Sequence, residues 1–197
     1  PGLTRPILAG TFSVEAPSSQ RLLYTLPFLA ALISIFVVNF RKQLDKVIPE
    51  LAELSPDYMT VTYGALGSTR DKTLETVTQV KSLTGLDCAS HLTCVGATRA
   101  DLDGILLSLA EAGVNNIVAL RGDPPRSDLA SWEKPADGLS YGNELVAHIR
   151  DFERRMGQDL FGVAVAGYPE THIEAKDFET DLRYLKQKVD AGAEYVV

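Results

Sequence analysis

One arrangement recurs along most of this 197-residue chain: a short apolar run, a cluster of polar or glycine residues, and then an amphipathic helix pattern. The apolar runs predict strands at residues 58–61, 88–90, 116–120 and 161–166, and another that starts at residue 195. Strands that alternate with helices predict a parallel sheet, in a barrel or a doubly wound fold. A (β/α)8 barrel needs roughly 250 residues. We therefore expect an α/β fold, an incomplete (β/α)8 TIM barrel of about five βα units plus the start of the next strand, with a doubly wound sheet as the alternative.

The helices between these strands are predicted from apolar residues that recur every three or four positions. Thr98 and Asp101 have the spacing of a capping box at a helix start, and Gly113 is placed to end the same helix. A later helix carries a stripe of four apolar residues, Phe178, Leu182, Leu185 and Val189.

Charge and cysteine content exclude several classes of protein. The formal net charge is −7 and no basic patch is present, so nucleic-acid binding is not expected. Cys88 and Cys94 have neither metal-ligand nor CxxC spacing, and no metal site is expected. Free thiols of this kind are typical of a reducing compartment, so we expect a cytoplasmic protein.

The N-terminal segment differs from the rest, and we expect it to be separate: residues 1–43 are atypical, and residues 44–197 form the partial barrel domain. Leu22–Phe40 carries no charge and is long enough to span a bilayer. Pro27 and several polar residues argue against a span. Membrane contact is conceivable only through this run and is not favoured.

Polar clusters follow the predicted strands at Thr62–Ala65, His91–Thr93, Arg121–Asp123 and Tyr168–Glu170, with His172 nearby. Any one cluster can be an ordinary turn. Because sites in parallel α/β folds lie beyond the carboxyl ends of the strands, the four together predict one rim that faces one ligand. We expect Thr62, His91, Asp123 and Tyr168 to point into the same cleft.

Several common catalytic motifs are absent from the sequence. It contains no GxGxxG, no GxxxxGK[ST], and no serine or cysteine flanked by the glycines of a nucleophile elbow. The reactive chemistry is therefore expected to come from a bound cofactor that the protein orients.

Five strings of residues resemble those of the methylenetetrahydrofolate reductase family, in the same order and at similar spacing: Val61–Ala65, Thr69–Asp71, His91–Cys94, Ala119–Pro124 and Ala166–Glu170. The predicted helix from Asp181 to Ala193 resembles the family as well. The resemblance extends over about residues 44–197. It implies a truncated member of a barrel family that carries FAD, takes hydride from NAD(P)H and reduces 5,10-methylenetetrahydrofolate to 5-methyltetrahydrofolate, in one-carbon metabolism and methionine biosynthesis. A folate substrate and, at full length, a homo-oligomer are implied with it.

The resemblance also implies site residues. Thr62 matches the position that touches the nicotinamide, and Asp123 matches a catalytic carboxylate that meets both flavin and folate. The flavin contacts implied are Tyr63, Ala65, His91, Arg121, Gly122, Asp123, Tyr141, Tyr168, His172, Ala175, Asp181, Tyr184, Gln187 and Lys188.

The catalytic proton donor of the family is a glutamate in the first strand, and Glu15 is the residue that we assign to this role. The surrounding Phe12–Pro17 lacks the aromatic pair of the family string, and Glu15 lies farther before Thr62 than the resemblance implies. Two other functions stay open: a different flavin- or phosphate-binding barrel enzyme, and a non-catalytic truncated or membrane-anchored fragment that binds no flavin.

Overall fold

The computed structural model describes residues 43–63, 70–123 and 135–197, and residues 48–197 form one compact unit. The N-terminal segment, with Glu15 and the apolar run Leu22–Phe40, lies outside the described residues, as does Ala65. The predicted boundary after residue 43 therefore stays a prediction. In the described part of the chain, no helix is both long enough and apolar enough to cross a membrane.

A five-stranded parallel sheet forms the centre of this unit. Its strands are adjacent in chain order: β1 (Tyr58–Val61), β2 (Asp87–Thr93), β3 (Asn116–Leu120), β4 (Gly162–Val165) and β5 (Tyr195–Val196). A doubly wound sheet would reverse its strand order at a switch point. The sheet contains no such reversal, which confirms the prediction of an incomplete (β/α)8 barrel.

A helix follows each of the first four strands, and another precedes β1. The helices are α1 (43–52), α2 (Arg70–Thr84), α3 (Arg99–Glu111), α4 (Gly142–Met156) and α5 (Phe178–Asp190). The described residues thus hold four βα units and a fifth strand. The unit expected before residue 44 is not among them.

Local sequence signals explain the ends of α3. The Thr98 side chain accepts a hydrogen bond from the Asp101 N–H, and the Asp101 carboxylate accepts one from the Thr98 N–H, which is the predicted capping box. Gly113 ends the helix with a φ of 67°, where glycine carries no Cβ penalty. The Lys81 ammonium of α2 donates to the Gly113 carbonyl and thereby joins the two helices.

The register of the sheet separates its two faces. Ser90, Ile117 and Val163 are paired across β2, β3 and β4, and all three are buried. The next residues along, His91, Val118 and Ala164, are also paired, and their side chains point to the opposite face because strand residues alternate. Val118 and Ala164 are buried there, whereas His91 is only half-buried.

Two expectations from the sequence differ from the structure. His91–Thr93 was predicted to follow a strand, but β2 continues through these residues, and Thr93 pairs with Leu120. Polar side chains fit there because this face of the sheet is only partly covered. The stripe of α5 has the expected spacing, yet Phe178, Leu182 and Val189 are nearly half exposed.

Candidate functional site

A cleft of about 610 Å³ lies at the carboxyl ends of β3 and β4, between the start of α4 and one face of α5. This is the position at which parallel α/β folds hold their ligands. Its lining comprises Ala119, Leu120, Arg121, Gly122, Asp123, Tyr141, Gly142, Asn143, Ala166, Tyr168, His172, Glu174, Ala175, Asp181, Tyr184, Gln187 and Lys188.

The turn after β3 places Arg121 and Asp123 in this cleft. Gly122 between them has a φ of +82°, a conformation that residues with a Cβ rarely adopt. A Cβ at this position would lie 2.7 Å from Cγ1 of Val95 and 2.8 Å from Cβ of Thr93. Only glycine therefore fits the turn that carries the two charged side chains.

Arg121 forms a two-point ion pair with Glu174, which lies in the loop between β4 and α5. Its two terminal nitrogens donate to the two carboxylate oxygens at 2.6 and 2.9 Å, and its Nε donates to the Gly122 carbonyl at 3.3 Å. The bonds to Glu174 raise the pKa of Arg121 and lower the pKa of Glu174. Because the Glu174 side chain is 58% exposed, the pair contributes only about 0.2–1 kcal/mol to stability.

The loop that carries Glu174 is held by its own hydrogen bonds. The backbone N–H of Glu174 donates to Nδ1 of His172 at 3.1 Å, so a neutral His172 carries its proton on Nε2. The backbone N–H of His172 donates to the Asp181 carboxylate of α5 at 2.9 Å. The His172 ring also meets the Tyr168 ring edge to face, with centroids 4.6 Å apart.

Helix α5 presents four cleft residues on one face, because positions three or four apart lie on the same side of a helix. These residues are Asp181, Tyr184, Gln187 and Lys188. The helix begins at the Asp177 cap, whose carboxylate accepts from the Thr180 N–H at 2.8 Å.

The start of α4 closes another side of the cleft. Tyr141 occupies the N-cap position with its side chain largely exposed, and Gly142 and Asn143 follow it. The Cys94 thiol contacts the carbonyls of Arg121 and Tyr141 at 3.5 and 3.8 Å, and so joins this helix to the turn after β3. Burial raises the pKa of Cys94 to about 11, so the group is a protonated thiol and a poor nucleophile.

Three of the predicted site residues lie outside this cleft. Thr62 and Tyr63 follow β1, and His91 is in β2, at the same end of the sheet but not among the lining residues. Burial lowers the pKa of His91. Of the four residues expected to share one cleft, Asp123 and Tyr168 line it, whereas Thr62 and His91 do not.

Two polar residues of the cleft were not predicted from the sequence: Glu174, which pairs with Arg121, and Asn143. Each is two residues from a position that the resemblance implied: Glu174 from His172, and Asn143 from Tyr141. An acidic residue in a loop opposite an arginine in the neighbouring βα loop was the available signal for Glu174.

The composition of the cleft suits a ligand with anionic and planar parts. Arg121 and Lys188 offer cations, and three tyrosines, Tyr141, Tyr168 and Tyr184, offer aromatic surface. The volume lies in the range of sites that enclose cofactors, roughly 300–1,000 Å³. In the described ranges, no group of three His, Cys, Asp or Glu side chains is arranged to hold a metal ion.

Comparison with known proteins indicates the family of the chain. The sequence model of the family described as methylenetetrahydrofolate reductase matches residues 23–197. The "Probable methylenetetrahydrofolate reductase (NADH)" of Oryza sativa subsp. japonica is 32% identical over 93% of this chain and 31% of its own length. The "5,10-methylenetetrahydrofolate reductase" of Escherichia coli (strain K12) is 42% identical over 74% of this chain and 45% of its own length. The chain thus spans less than half the length of these relatives.

Solved structures with a similar fold are more distant in sequence. A 2,3-dimethylmalate lyase of the PEP mutase/isocitrate lyase superfamily aligns over 76% of this chain and 52% of its own, with a TM-score of 0.53 and 10% identity. QR15, an aldolase, aligns over 77% of this chain and 58% of its own, with a TM-score of 0.50 and 15% identity. These likenesses concern the fold alone. The match to the family model over most of the sequence shows that the chain belongs to the methylenetetrahydrofolate reductase family.

Proposed function

We propose that this chain forms the flavin-binding part of an enzyme that reduces 5,10-methylenetetrahydrofolate to 5-methyltetrahydrofolate, with FAD as cofactor and NADH or NADPH as reductant. The observation that carries the proposal is that most of the implied flavin contacts line one cleft, although they come from the turn after β3, the start of α4, the β4–α5 loop and α5. Residues 44–197 are the proposed flavin domain, in a cytoplasmic homo-oligomer.

The residues of the cleft fit FAD in charge and in shape. Arg121 and Lys188 are suited to hold the pyrophosphate or an electron-rich edge of the ring. The aromatic lining and the absence of a side chain at Gly122 suit a planar ring. When bound, FAD supplies the hydride chemistry, accepting hydride from the reduced nicotinamide and delivering it to the folate.

Asp123 has the proposed role of stabilising charge on the folate. Its carboxylate is exposed at the cleft, one residue from the turn glycine and two from Arg121. A carboxylate there can hydrogen-bond the pterin and favour the positive charge that develops on the folate when the methylene bridge opens. Glu15 is the proposed donor of the proton to the folate nitrogen, and Thr62 and His91 are proposed to contact the nicotinamide and the flavin.

Flavin binding is the first test. FAD is titrated into the purified chain, and quenching of flavin fluorescence is measured together with circular dichroism. We expect saturable binding that Arg121→Met weakens. Arg154→Met is the matched control, because Arg154 is exposed on α4 and pairs with Asp151 away from the cleft. A folded chain that binds no FAD would contradict the proposal and favour a non-catalytic protein.

The nature of the electron acceptor is the second test. The bound flavin is reduced anaerobically with NADH, since the name of the rice relative includes NADH, and NADPH is tested in parallel. We expect methylenetetrahydrofolate to reoxidise the flavin and 5-methyltetrahydrofolate to be formed. Reoxidation by menadione but not by methylenetetrahydrofolate would favour a different flavin enzyme.

A further inference from the structure

The ion pair of Arg121 and Glu174 fixes a guanidinium at the wall of the cleft. Two parallel hydrogen bonds to one carboxylate set the plane of the guanidinium as well as its position. A third bond, from Nε to the Gly122 carbonyl, holds the near end of the same group. The side chain is therefore held in one orientation by groups on two different loops.

The bonding of Arg121 leaves donors for a ligand. A guanidinium has five N–H donors, and among the residues that the structure describes three of these donors have a partner, on Nε, Nη1 and Nη2. The difference, 5 − 3 = 2, leaves two N–H groups that are already oriented.

Glu174 is itself held in place from α5. Its backbone N–H donates to the ring of His172, and the backbone N–H of His172 donates to Asp181 in the first turn of α5. The series Asp181, His172, Glu174 and Arg121 thus joins α5 to the turn after β3, across the cleft. Three of these four residues are implied flavin contacts, and Glu174 is the exception.

Exposure argues against a role of this pair in the stability of the fold. The side chains of Arg121 and Glu174 are 33% and 58% exposed, and ion pairs with this access to solvent add little to stability. What the pair provides at the cleft is a fixed geometry. Lysine at position 121 would keep the charge but could not form the two-point bond.

We propose that Glu174 is a positioning residue for cofactor binding: it holds the Arg121 guanidinium in the orientation in which its two remaining N–H groups bind FAD. The inference rests on the proposed function. The contribution of Arg121 to FAD affinity then has two parts. One comes from its charge, and the other comes from the orientation that Glu174 imposes on it.

A double-mutant cycle on FAD affinity tests this dependence. The FAD dissociation constant is measured for the wild type, Arg121→Lys, Glu174→Ala and the double variant. We expect each single change to weaken binding by roughly tenfold, the scale of one charge-assisted hydrogen bond. The double variant is expected to bind about as weakly as either single variant, because both remove the same fixed geometry.

Two further variants separate positioning from other effects. Glu174→Gln retains one oxygen acceptor and is expected to bind FAD with intermediate affinity. Glu179→Gln removes an exposed carboxylate outside the cleft and is expected to leave binding unchanged. Thermal unfolding is followed for every variant. If Glu174→Ala does not fold, Glu174→Gln takes its place in the cycle.

The outcomes that overturn the two proposals differ. A wild-type chain that binds no FAD overturns the proposed function and this inference with it. A wild type that binds FAD while the effects of the two substitutions multiply, or while Glu174→Ala binds as tightly as the wild type, overturns the inference alone.

Discussion

The ammonium group of Lys188 on α5 donates a hydrogen bond of 2.9 Å to the backbone carbonyl of Ala166, directly after β4. This bond holds the cation at the wall of the cleft and joins α5 to the carboxyl end of the sheet. Burial lowers the pKa of Lys188, and the nearby Asp181 carboxylate acts in the opposite direction. The charge thus lies where an anionic group of a ligand would meet it partly desolvated.

Replacing Lys188 by methionine should weaken FAD binding by roughly tenfold to a hundredfold, the range expected for a hydrogen bond to a charged group. Methionine retains most of the aliphatic stem and removes the charge. The measurement is a fluorescence titration with FAD. Lys186→Met is the matched control, because Lys186 is on the same helix, 72% exposed and paired with Asp190. If Lys188→Met and Lys186→Met weaken FAD binding equally, the loss of positive charge anywhere on α5 has this effect, and the specific role of Lys188 is contradicted.

Asp123→Asn should separate the two half-reactions. The variant is expected to bind FAD and to be reduced by NADH or NADPH, whereas transfer to methylenetetrahydrofolate should slow, because the lost charge matters where positive charge develops on the folate. Stopped-flow absorbance at the flavin band follows each half-reaction. Equal slowing of both would contradict the assigned role of Asp123.

The positions of the helices and strands were largely predictable from the sequence, since local signals set them. The capping box of α3 lies at Thr98 and Asp101 as expected, and the apolar run at residues 117–120 forms most of β3. Runs of this kind are typical of strands covered on both faces, and the middle of β3 is buried.

Features that depend on contacts between distant residues were not predictable. The end of β2 was misplaced because polar residues such as His91 are tolerated on a partly covered face. The exposure of Phe178 and Leu182 on α5 could not be inferred from their spacing, which reports a common face and not its partner.

In the candidate site too, some residues were predictable from the sequence, whereas the roles that depend on contacts between distant residues were not. Most of the residues implied by the resemblance line one cleft, but Glu174 was missed, because its role depends on a contact with Arg121, 53 positions earlier. Lys188 alone would be interpreted as part of a solvated helix face. The hydrogen bond to Ala166 shows that it is turned to the sheet.

His148, a buried histidine of α4 that faces Asp103 of α3, predicts that the stability of the protein depends on pH. The His148 side chain is only 3% exposed, and its Nε2 lies 2.9 Å from Oδ1 of Asp103, although the two are poorly aligned for a hydrogen bond. Nη1 of Arg99 lies 3.4 Å from the other ring nitrogen, and Arg155 is paired with the same Asp103. Burial lowers the pKa of His148, Asp103 raises it, and the two arginines lower it.

The free energy of unfolding should therefore fall as the pH decreases below about 6.5, the ordinary pKa of histidine. In that range the unfolded chain binds a proton that the folded chain does not, and the fall levels off below the folded-state pKa. Urea unfolding between pH 7.5 and 5 measures the effect. His148→Gln should reduce the slope, and His91, whose pKa burial also lowers, should account for part of what remains.

Asp103 also makes the free energy of unfolding depend on pH, but in a lower range of pH than His148, so the two effects can be separated. The main cause of its lowered pKa is the hydrogen bond with Arg155, so the stability that Asp103 contributes is present above the ordinary aspartate pKa of about 3.9 and is lost below it.

The outcome that would contradict the assignment to His148 is a change of unfolding free energy with pH, near pH 6, that is the same in the wild type and in His148→Gln.

The turn at Gly122 should be intolerant of any side chain. At a φ of +82°, alanine carries a conformational cost of about 1–3 kcal/mol. Its Cβ would also lie 2.7 and 2.8 Å from side-chain atoms of Val95 and Thr93, an overlap that costs a further ~1–3 kcal/mol unless β2 shifts. Urea unfolding of Gly122→Ala without FAD measures the sum. Gly104→Ala is the control: apart from the backbone of α3 itself, no atom lies within 4 Å of its added Cβ, so a gain of about 0.5–1 kcal/mol is expected. If Gly122→Ala is as stable as the wild type, the turn does not require glycine, and the placement of Arg121 and Asp123 has another cause.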